Sequence, residues 1–289
     1  MRSDIDRAIA LLKEGDEKAL EKAITHLQQA VFAFGMRVCG QREDAEDTMQ
    51  EVLVKAIPYL PKFDNSRALT AWLYKVAKNR CLMSRRKSKF APRQELSLDE
   101  LMPDREELER LDSSPMNGPE SLTIRKEEAQ RLREAIRVLP PHYRIVIVLR
   151  DMEGFTDEEV GEITGLLPGT IRIRLHRARL FVRRELEKGK GRPRSARKSS
   201  DTPPRTRRCR KMFAGLSNYL DGELDEFSCE EIEAHLEGCE PCQKFLASLK
   251  TAIQTCQKMP ADCPDRQKAA LLKKQLLATY SRALATSAK

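Results

Sequence analysis

The sequence has few aromatic residues and no long apolar run. Aromatic side chains make up 5% of the 289 residues, which argues against an all-β sandwich. No apolar run is long enough to cross a bilayer, and the N-terminal segment carries charges throughout in place of the apolar core of a signal peptide. We therefore expect a cytoplasmic protein that has no membrane partner.

Features of an enzyme are also scarce. The chain has 4 histidines, and none is placed among carboxylates as in a hydrolytic metal site. It has no glycine-rich loop of the type that cradles phosphates. We expect a protein that is not an enzyme.

Helices separated by two polar linkers are the main feature of the pattern. No stretch alternates apolar and polar residues with the period of a β-strand, so we predict an all-α fold. Pro, Ser, Asp and Gly mark one linker at 91–122, and a basic Gly/Pro/Ser-rich linker follows at 188–207. The predicted domains are 1–90, 123–187 and 208–289, the last with a C-terminal helix.

Positive charge exceeds negative charge along the chain. Its 53 Lys and Arg against 44 Asp and Glu give a net charge of +9. This balance favours a polyanionic partner such as nucleic acid, although a basic solvated surface would give the same number.

A helix-turn-helix pattern extends from Phe155 to Leu186. The breakers in TGLLPG separate a short helix from a cation-rich one that we expect Thr170 to cap. Such a second helix fits the major groove, where arginine pairs with guanine edges. An ordinary helical hairpin with a basic face is the alternative. The predicted DNA contacts are Pro168, Gly169, Thr170, Arg172, Arg174, His176 and Arg177.

Two N-terminal helices carry opposite charges. Asp47 and Glu51, with Gln50 beside them, form an acidic ridge that either docks a basic protein or is simply solvated. The helix that begins near Trp72 carries cations and an amide that suit single-stranded DNA, and Trp72 itself is expected in the core. The members of this second surface are Lys75, Lys78, Asn79, Arg80, Arg85 and Arg86.

Cysteines concentrate at the C-terminal end, where 6 of the 8 follow residue 200. The stretch HLEGCEPC reads H-x₃-C-x₂-C and places His235, Cys239 and Cys242 as ligands of a tetrahedral Zn²⁺ site. Cys209 is the preferred fourth ligand, and Cys229 is the alternative. In a reducing cytoplasm we expect the cysteines to be thiols or metal ligands and not structural disulfides. Copper or cadmium would also suit thiolates.

Three motifs in order resemble the extracytoplasmic function sigma factors of bacteria. They are DAEDTMQEVLVKA, LTAWLYKVAKNR and the segment LPPHYRIVIVLRDMEGFTDEEVGEITGLLPGTIRIRLHRAR. The resemblance covers residues 20–88 and 123–187. It implies that Asp47, Gln50 and Glu51 dock on the clamp helices of core RNA polymerase.

The same resemblance implies how promoter DNA is bound. The segment from Asp64 to Arg86 would open and read the −10 element, with a flipped base near Asn65 and Ser66 and with Asn79 and Arg80 nearby. The helix-turn-helix would read the −35 element. This sequence departs from the family at Met83, where Asp is common, and at Gly161, where Ala is usual. Both departures concern promoter recognition and not the fold.

The C-terminal module resembles the zinc-binding anti-sigma domain. LSNYLDGEL and the AHL before the second cysteine pair carry this likeness. It implies an intramolecular contact between the C-terminal domain and the sigma domains, through which the module would inhibit the protein or be required for its activity. We thus predict a promoter-directing initiation factor regulated in cis. The alternatives are a helix-turn-helix regulator and a metal or redox sensor that acts through a protein partner.

Overall fold

The computed structural model describes residues 2–14, 16–63, 65–86, 95–103, 122–188 and 207–287. Every regular element in these ranges is helical, which confirms the all-α prediction. The helices are α1 Arg2–Glu14, α2 Glu17–Cys39, α3 Arg42–Ala56, α4 Ser66–Arg86, α5 Leu98–Leu101, α6 Leu122–Val138, α7 Pro141–Ile147, α8 Asp157–Thr164, α9 Pro168–Lys188, α10 Arg207–Asp221, α11 Glu226–Glu237, α12 Glu240–Gln257 and α13 Arg266–Ser287. A 3₁₀ turn occupies Ile57–Lys62, and a π-helical turn occupies Val148–Met152.

The chain divides into two compact units, each built from more than one stretch of the sequence. The first unit comprises residues 1–92, 158–166 and 260–289. The second comprises residues 93–157 and 167–259. The helix-turn-helix is therefore split, because most of α8 belongs to the first unit and α9 belongs to the second.

Helices α2, α3 and α4 form the core of the first unit. Asp16 caps α2 by accepting a hydrogen bond from the Ala19 amide at 2.6 Å. A side chain at Gly35 would begin 3.3 Å from Ala45, so glycine permits α2 and α3 to approach closely. The rings of Phe34 and Tyr74 stack at a centroid distance of 4.1 Å and join α2 to α4.

Helix α13 packs on the same core, against α2, α3 and the 3₁₀ turn. Gln28 donates a hydrogen bond to the Ala269 carbonyl at 2.8 Å, and Lys268 lies 2.5 Å from a carboxylate oxygen of Glu46. Leu272 and Leu276 are buried. The sequence predicts this amphipathic helix but not its position, since nothing in its pattern specifies which apolar surface it covers.

A disulfide in the first unit corrects one expectation from the sequence. Cys39, the last residue of α2, is bonded to Cys81 of α4, with Cα atoms 5.1 Å apart. Both residues are buried. Because 42 residues separate them along the chain, only the packing of α2 against α4 brings the pair together. The expectation that all cysteines are thiols or metal ligands is wrong for these two.

Helix α9 is the centre of the second unit and packs against α6, α7, α10 and α12. Phe213 of α10 meets Phe245 of α12 edge to face at 4.8 Å. Arg183 of α9 lies over the Phe245 ring at 4.2 Å and donates to the Ser248 hydroxyl at 2.6 Å. The cysteine-rich helices thus share one core with α9.

Two local boundaries differ from the sequence prediction. Residues 98–101 of the predicted first linker form α5, in which Leu101 is buried and Glu100 accepts a hydrogen bond from Arg184. Helix α9 begins at Pro168 and not after a Thr170 cap, because proline suits the first turn of a helix, where no amide partner is needed. The second predicted linker lies almost wholly outside the described residues.

Among the described residues, no helix is both long and apolar enough to span a membrane.

Candidate metal site and nucleic-acid interface

The predicted metal ligands converge at the junction of α11 and α12. Ligand atoms of His235, Cys239 and Cys242 all lie within 4.8 Å of one another. The His235 Nε2 atom is 3.3 Å from the Cys242 sulfur, close to the roughly 3.5 Å expected between two ligands of a tetrahedral zinc ion. An imidazole and two thiols are donors that suit Zn²⁺, and the distance between His235 and Cys242 is compatible with it.

Local helix geometry produces this convergence. His235 lies in the last turn of α11, which Asp225 caps at its other end by accepting from the Ser228 amide at 2.9 Å. Cys239 is the N-terminal cap residue of α12, and Cys242 lies in its first turn. The two-residue connection thus points the end of one helix and the start of the next at the same place.

The fourth ligand stays a prediction. The Cys209 side chain lies outside the described residues. Cys229 is described and half-buried, but it does not belong to the group of three. Cys256 is buried and Cys263 is exposed, and both are thiols outside that group.

The acidic ridge of α3 lies at the surface of the first unit. Asp47 and Gln50 are exposed, and they line a shallow concavity with Glu51 and Val54. Glu51 accepts from Lys55 at 2.7 Å and from Arg80 at 2.8 Å. The Lys55 hydrogen bond, opposed by partial burial and aided by the Arg80 charge, lowers the pKa of Glu51. The Glu51 carboxylate therefore stays ionised at neutral pH.

Some residues of the predicted −10 surface on α4 are exposed to solvent, and others contact neighbouring side chains of the protein. Lys75 and Asn79 are exposed, and Asn65 caps the helix through the Ala68 amide at 2.8 Å. Ser66 begins the helix. Arg80 is held by Glu51. The side chains of Arg85 and Arg86 lie outside the described residues, as does that of Met83.

Lys78 differs from its neighbours because its ammonium group is buried. It donates to the carbonyls of Ile163 and Thr164 at 3.0 and 3.5 Å, at the C-terminal end of α8. Burial, with a smaller contribution from the Lys75 charge, lowers the pKa of Lys78. The negative end of the helix dipole compensates this burial. Arg67 reinforces the contact by lying 3.3 Å from Glu159.

The predicted −35 surface on α9 is exposed only at its first turn. Pro168 and Gly169 are exposed, and Thr170 and Arg174 are half-buried. Arg177 reaches the Tyr143 hydroxyl at 3.4 Å. We refer to residues 207–257, which contain α10, α11 and α12, as the cysteine-rich module. Arg172 pairs with Asp157 at 3.0 Å and with Glu223 of this module at 2.9 Å.

His176 lies under the cysteine-rich module. It is 6% exposed, and its Nδ1 atom is 3.1 Å from the Ser217 hydroxyl of α10. Burial, together with the charges of Arg179 and Arg177, lowers the pKa of His176 to about 4. The ring is therefore neutral at pH 7 and cannot serve there as a cation for DNA.

A buried ionic network that the sequence pattern did not reveal lies beside His176. Arg179 of α9 pairs with Asp151 and, through two nitrogens, with Asp221 at 2.7 and 2.9 Å. Burial alone would lower the pKa of Arg179, but the two carboxylates outweigh it and raise the pKa above its ordinary value. Arg150 extends the network to Glu223 at 2.7 Å. In the sequence, the two acids of LSNYLDGEL, Asp221 and Glu223, are the feature that could have indicated partners for these arginines.

Comparison with known proteins identifies three segments of the chain. Residues 23–90 match the family Sigma-70 region 2, residues 129–182 match Sigma-70 region 4, and residues 216–243 match a zinc-finger family. The RNA polymerase sigma-E factor of Escherichia coli, an ECF factor, is 30% identical over 172 residues, which are 58% of this chain and 86% of that protein.

The chain belongs to the ECF RNA polymerase sigma factors. It is a DNA-binding transcription initiation factor, and the zinc-finger segment is part of the same chain. The ECF sigma factor SigW of Bacillus subtilis is 29% identical over 188 residues, which are 64% of this chain and 98% of that protein. At least a third of this sigma factor therefore lies outside that match.

One solved structure is also similar over part of the chain. It contains the sigma factor RpoE with the anti-sigma factor NepR from Bartonella quintana, and the matched chain is 24% identical with a TM-score of 0.39. The match covers 56% of this chain and 92% of that one.

Proposed function

We propose that this sigma factor directs core RNA polymerase to promoters and is held inactive in cis by its own zinc-bound cysteine-rich module. The observation that carries the proposal is the engagement of α9 by that module. Two of the predicted −35 contacts face the module, because Arg172 forms an ion pair with Glu223 at 2.9 Å and the His176 ring lies 3.1 Å from the Ser217 hydroxyl. These bonds and duplex DNA compete for the same side chains, so the bound module lowers affinity for the −35 element.

The other predicted site residues bind core polymerase and the −10 element, as the resemblance to the family implies. Asp47, Gln50 and Glu51 bind the clamp helices of core polymerase, a role that the exposure of Asp47 and Gln50 and the negative charge of Glu51 support. Helix α4, with Asn65 and Ser66 at its start, opens and reads the −10 element. The cysteine-rich module and α13 supply the intramolecular contacts with the two sigma domains, and their function is inhibition and not co-activation.

Zinc holds the module in its inhibitory shape. His235, Cys239 and Cys242 bind the ion, with Cys209 as the fourth ligand. A site with four protein ligands has no open position for catalysis and acts by organising the fold. Oxidation of the thiolates would release the ion and loosen the module. Zinc content of the purified protein, measured before and after peroxide, tests this assignment independently of transcription.

A matched pair of variants on α10 tests inhibition in cis. Ser217 is 1% exposed and faces His176, whereas Ala214 is exposed on the same helix. S217R places a bulky cation against α9 and should displace the module, while A214R should not. We expect S217R to raise run-off transcription from a randomised promoter library by at least about tenfold, which corresponds to about 1.4 kcal/mol of contact.

Two outcomes would contradict this proposal. If core polymerase gave no promoter-dependent transcript with either variant or with the unmodified protein, sigma activity would be refuted. If transcripts appeared equally with S217R, A214R and the unmodified protein, sigma activity would stand but inhibition by this contact would be refuted.

A further inference from the structure

The turn that joins α10 to α11 presents two carboxylates in fixed positions. Gly222 has a φ of 68°, a left-handed conformation that favours glycine. The amides of Gly222 and Glu223 donate to the carbonyls of Tyr219 and Asn218 at 3.1 and 2.9 Å. These bonds close the end of α10, so Asp221 and Glu223 are held by the backbone on either side of the glycine. We refer to Asp221, Gly222 and Glu223 as the acidic turn.

The acidic turn meets three arginines of the sigma region 4 domain. Asp221 contacts Arg179 through both of its oxygens, at 2.7 and 2.9 Å. Glu223 bridges two arginines, with one oxygen 2.7 Å from Arg150 and the other 2.9 Å from Arg172. Paired oxygens on a guanidinium group are the arrangement by which arginine also binds phosphate.

The acidic turn reverses the charge of this cluster. Without it, Arg150, Arg172 and Arg179 face the carboxylates of Asp151 and Asp157, which leaves one positive charge in excess. The two carboxylates of the turn leave one negative charge in excess. The formal charge of this cluster therefore changes sign when the acidic turn is in place, which weakens its attraction for a polyanion.

We infer that Arg150, Arg172 and Arg179 form a latent phosphate-binding site for the DNA backbone, and that the acidic turn occupies it as a phosphate mimic. This inference rests on the proposed inhibition in cis and specifies its chemistry. Arg172 belongs to the predicted −35 surface, so the site is continuous with it. Arg150 and Arg179 are additional residues that the sequence pattern does not assign to DNA.

Salt dependence distinguishes a phosphate site from a merely loosened contact. Each phosphate that an arginine neutralises contributes about −0.9 to the slope of log affinity against log salt concentration. We expect the full-length D221N/E223Q variant to bind duplex DNA at least about tenfold more tightly than the unmodified protein at low salt, with a slope steeper by about 1 to 3. E226Q, which changes an exposed carboxylate on α11, should alter neither quantity.

A second set of variants assigns the slope to an arginine. In the D221N/E223Q background, R150Q should make the slope shallower by about 1, whereas R150K, which keeps the charge, should preserve most of it. R137Q, at an exposed arginine on α6, is the matched control and should leave the slope unchanged. A thermal melt of each variant shows whether the second unit remains folded.

The results separate this inference from the proposed function. If S217R activates the protein but D221N/E223Q leaves the salt slope unchanged, the phosphate mimic is refuted and inhibition in cis stands. The mimic is equally refuted if D221N/E223Q binds more tightly with an unaltered slope, or if R150Q and R137Q have the same effect. If neither S217R nor D221N/E223Q changes DNA affinity, inhibition in cis is refuted as well.

Discussion

The two predicted DNA-reading helices are engaged by different kinds of partner in their respective units. In the first unit, Lys78 of α4 donates to backbone carbonyls at the end of α8, a part of the sigma domains themselves. In the second unit, Arg172, His176 and Arg179 of α9 contact side chains of the cysteine-rich module. The first set of contacts depends on helix packing, whereas the second depends on the segment that carries His235, Cys239 and Cys242.

This difference indicates that loss of a metal ion can disrupt the contacts of α9 but not those of α4. Neutral carbonyls at a helix end hold Lys78 without any contribution from the predicted zinc ligands. The contacts on α9 require α10 and the acidic turn to stay in place, and α10 is packed against α12, which carries Cys242 in its first turn. Loss of the metal should therefore release α9 and leave α4 as it is.

Metal removal gives the largest expected effect and tests this contrast directly. Structural zinc contributes on the order of 10 kcal/mol to the folding of small zinc domains, so C242S or chelation should unfold α11 and α12. Hydrogen exchange should rise throughout those helices and remain unchanged in α2 and α4.

The matched control for metal removal is C263S, because Cys263 is an exposed thiol outside the metal group. Unchanged exchange in α11 and α12 after chelation, with zinc loss verified by metal analysis, would refute the structural role of the ion.

Reduction of the Cys39–Cys81 disulfide should affect the opposite unit. Closing a loop of 42 residues stabilises the folded state by about 4 kcal/mol in the chain-entropy estimate. C81S, or reduction by a phosphine, should lower the free energy of unfolding of the first unit by about that amount and leave α9 protected.

Urea titration followed by hydrogen exchange measures the two units separately. C256S, at a buried thiol of α12, is the control that perturbs the second unit instead. If C81S weakened protection of α9 as much as that of α4, the two engagements would not be independent.

Acid should destabilise the packing of the cysteine-rich module on α9, by less free energy than metal removal or loss of the disulfide. Burial, together with the charges of Arg179 and Arg177, lowers the pKa of His176 from an ordinary 6.5 to about 4, so the stability that depends on a buried neutral ring is fully present above pH 6.5 and is lost as the pH falls toward 4. At pH 5 the expected loss is about 2 kcal/mol. The unfolding free energy of the second unit, compared at pH 7 and pH 5, measures it.

H176Q removes the titrating ring and keeps a hydrogen-bonding side chain. The variant should show a flatter dependence of stability on pH over the same range. An equal loss between pH 7 and pH 5 in H176Q and in the unmodified protein would show that other groups carry the acid sensitivity.

Sequence patterns predicted the parts of this protein that depend on local spacing. Helical periodicity indicated the all-α fold, and H-x₃-C-x₂-C placed His235, Cys239 and Cys242 together because a short connection between two helices dictates their positions. The acidic ridge was equally local, since Asp47, Gln50 and Glu51 lie on one face of a single helix.

Features that join distant segments were not predictable. The disulfide depends on how α2 packs on α4, and the burial of Lys78 depends on where the end of α8 lies. Both lysine and arginine look like surface cations in a sequence, so Lys78 and Arg179 gave no sign of their buried partners. Side-chain periodicity identifies an apolar face but not the element that covers it, as α13 also illustrates.

The affinity of the full-length protein for duplex DNA, measured at one ionic strength with zinc bound and again after the ion is chelated, tests the central claim most directly. We predict that affinity rises by at least about tenfold on zinc removal and returns when zinc is restored. Equal or weaker binding by the zinc-free protein, with α9 still folded by hydrogen exchange, would contradict inhibition by the metal-organised module.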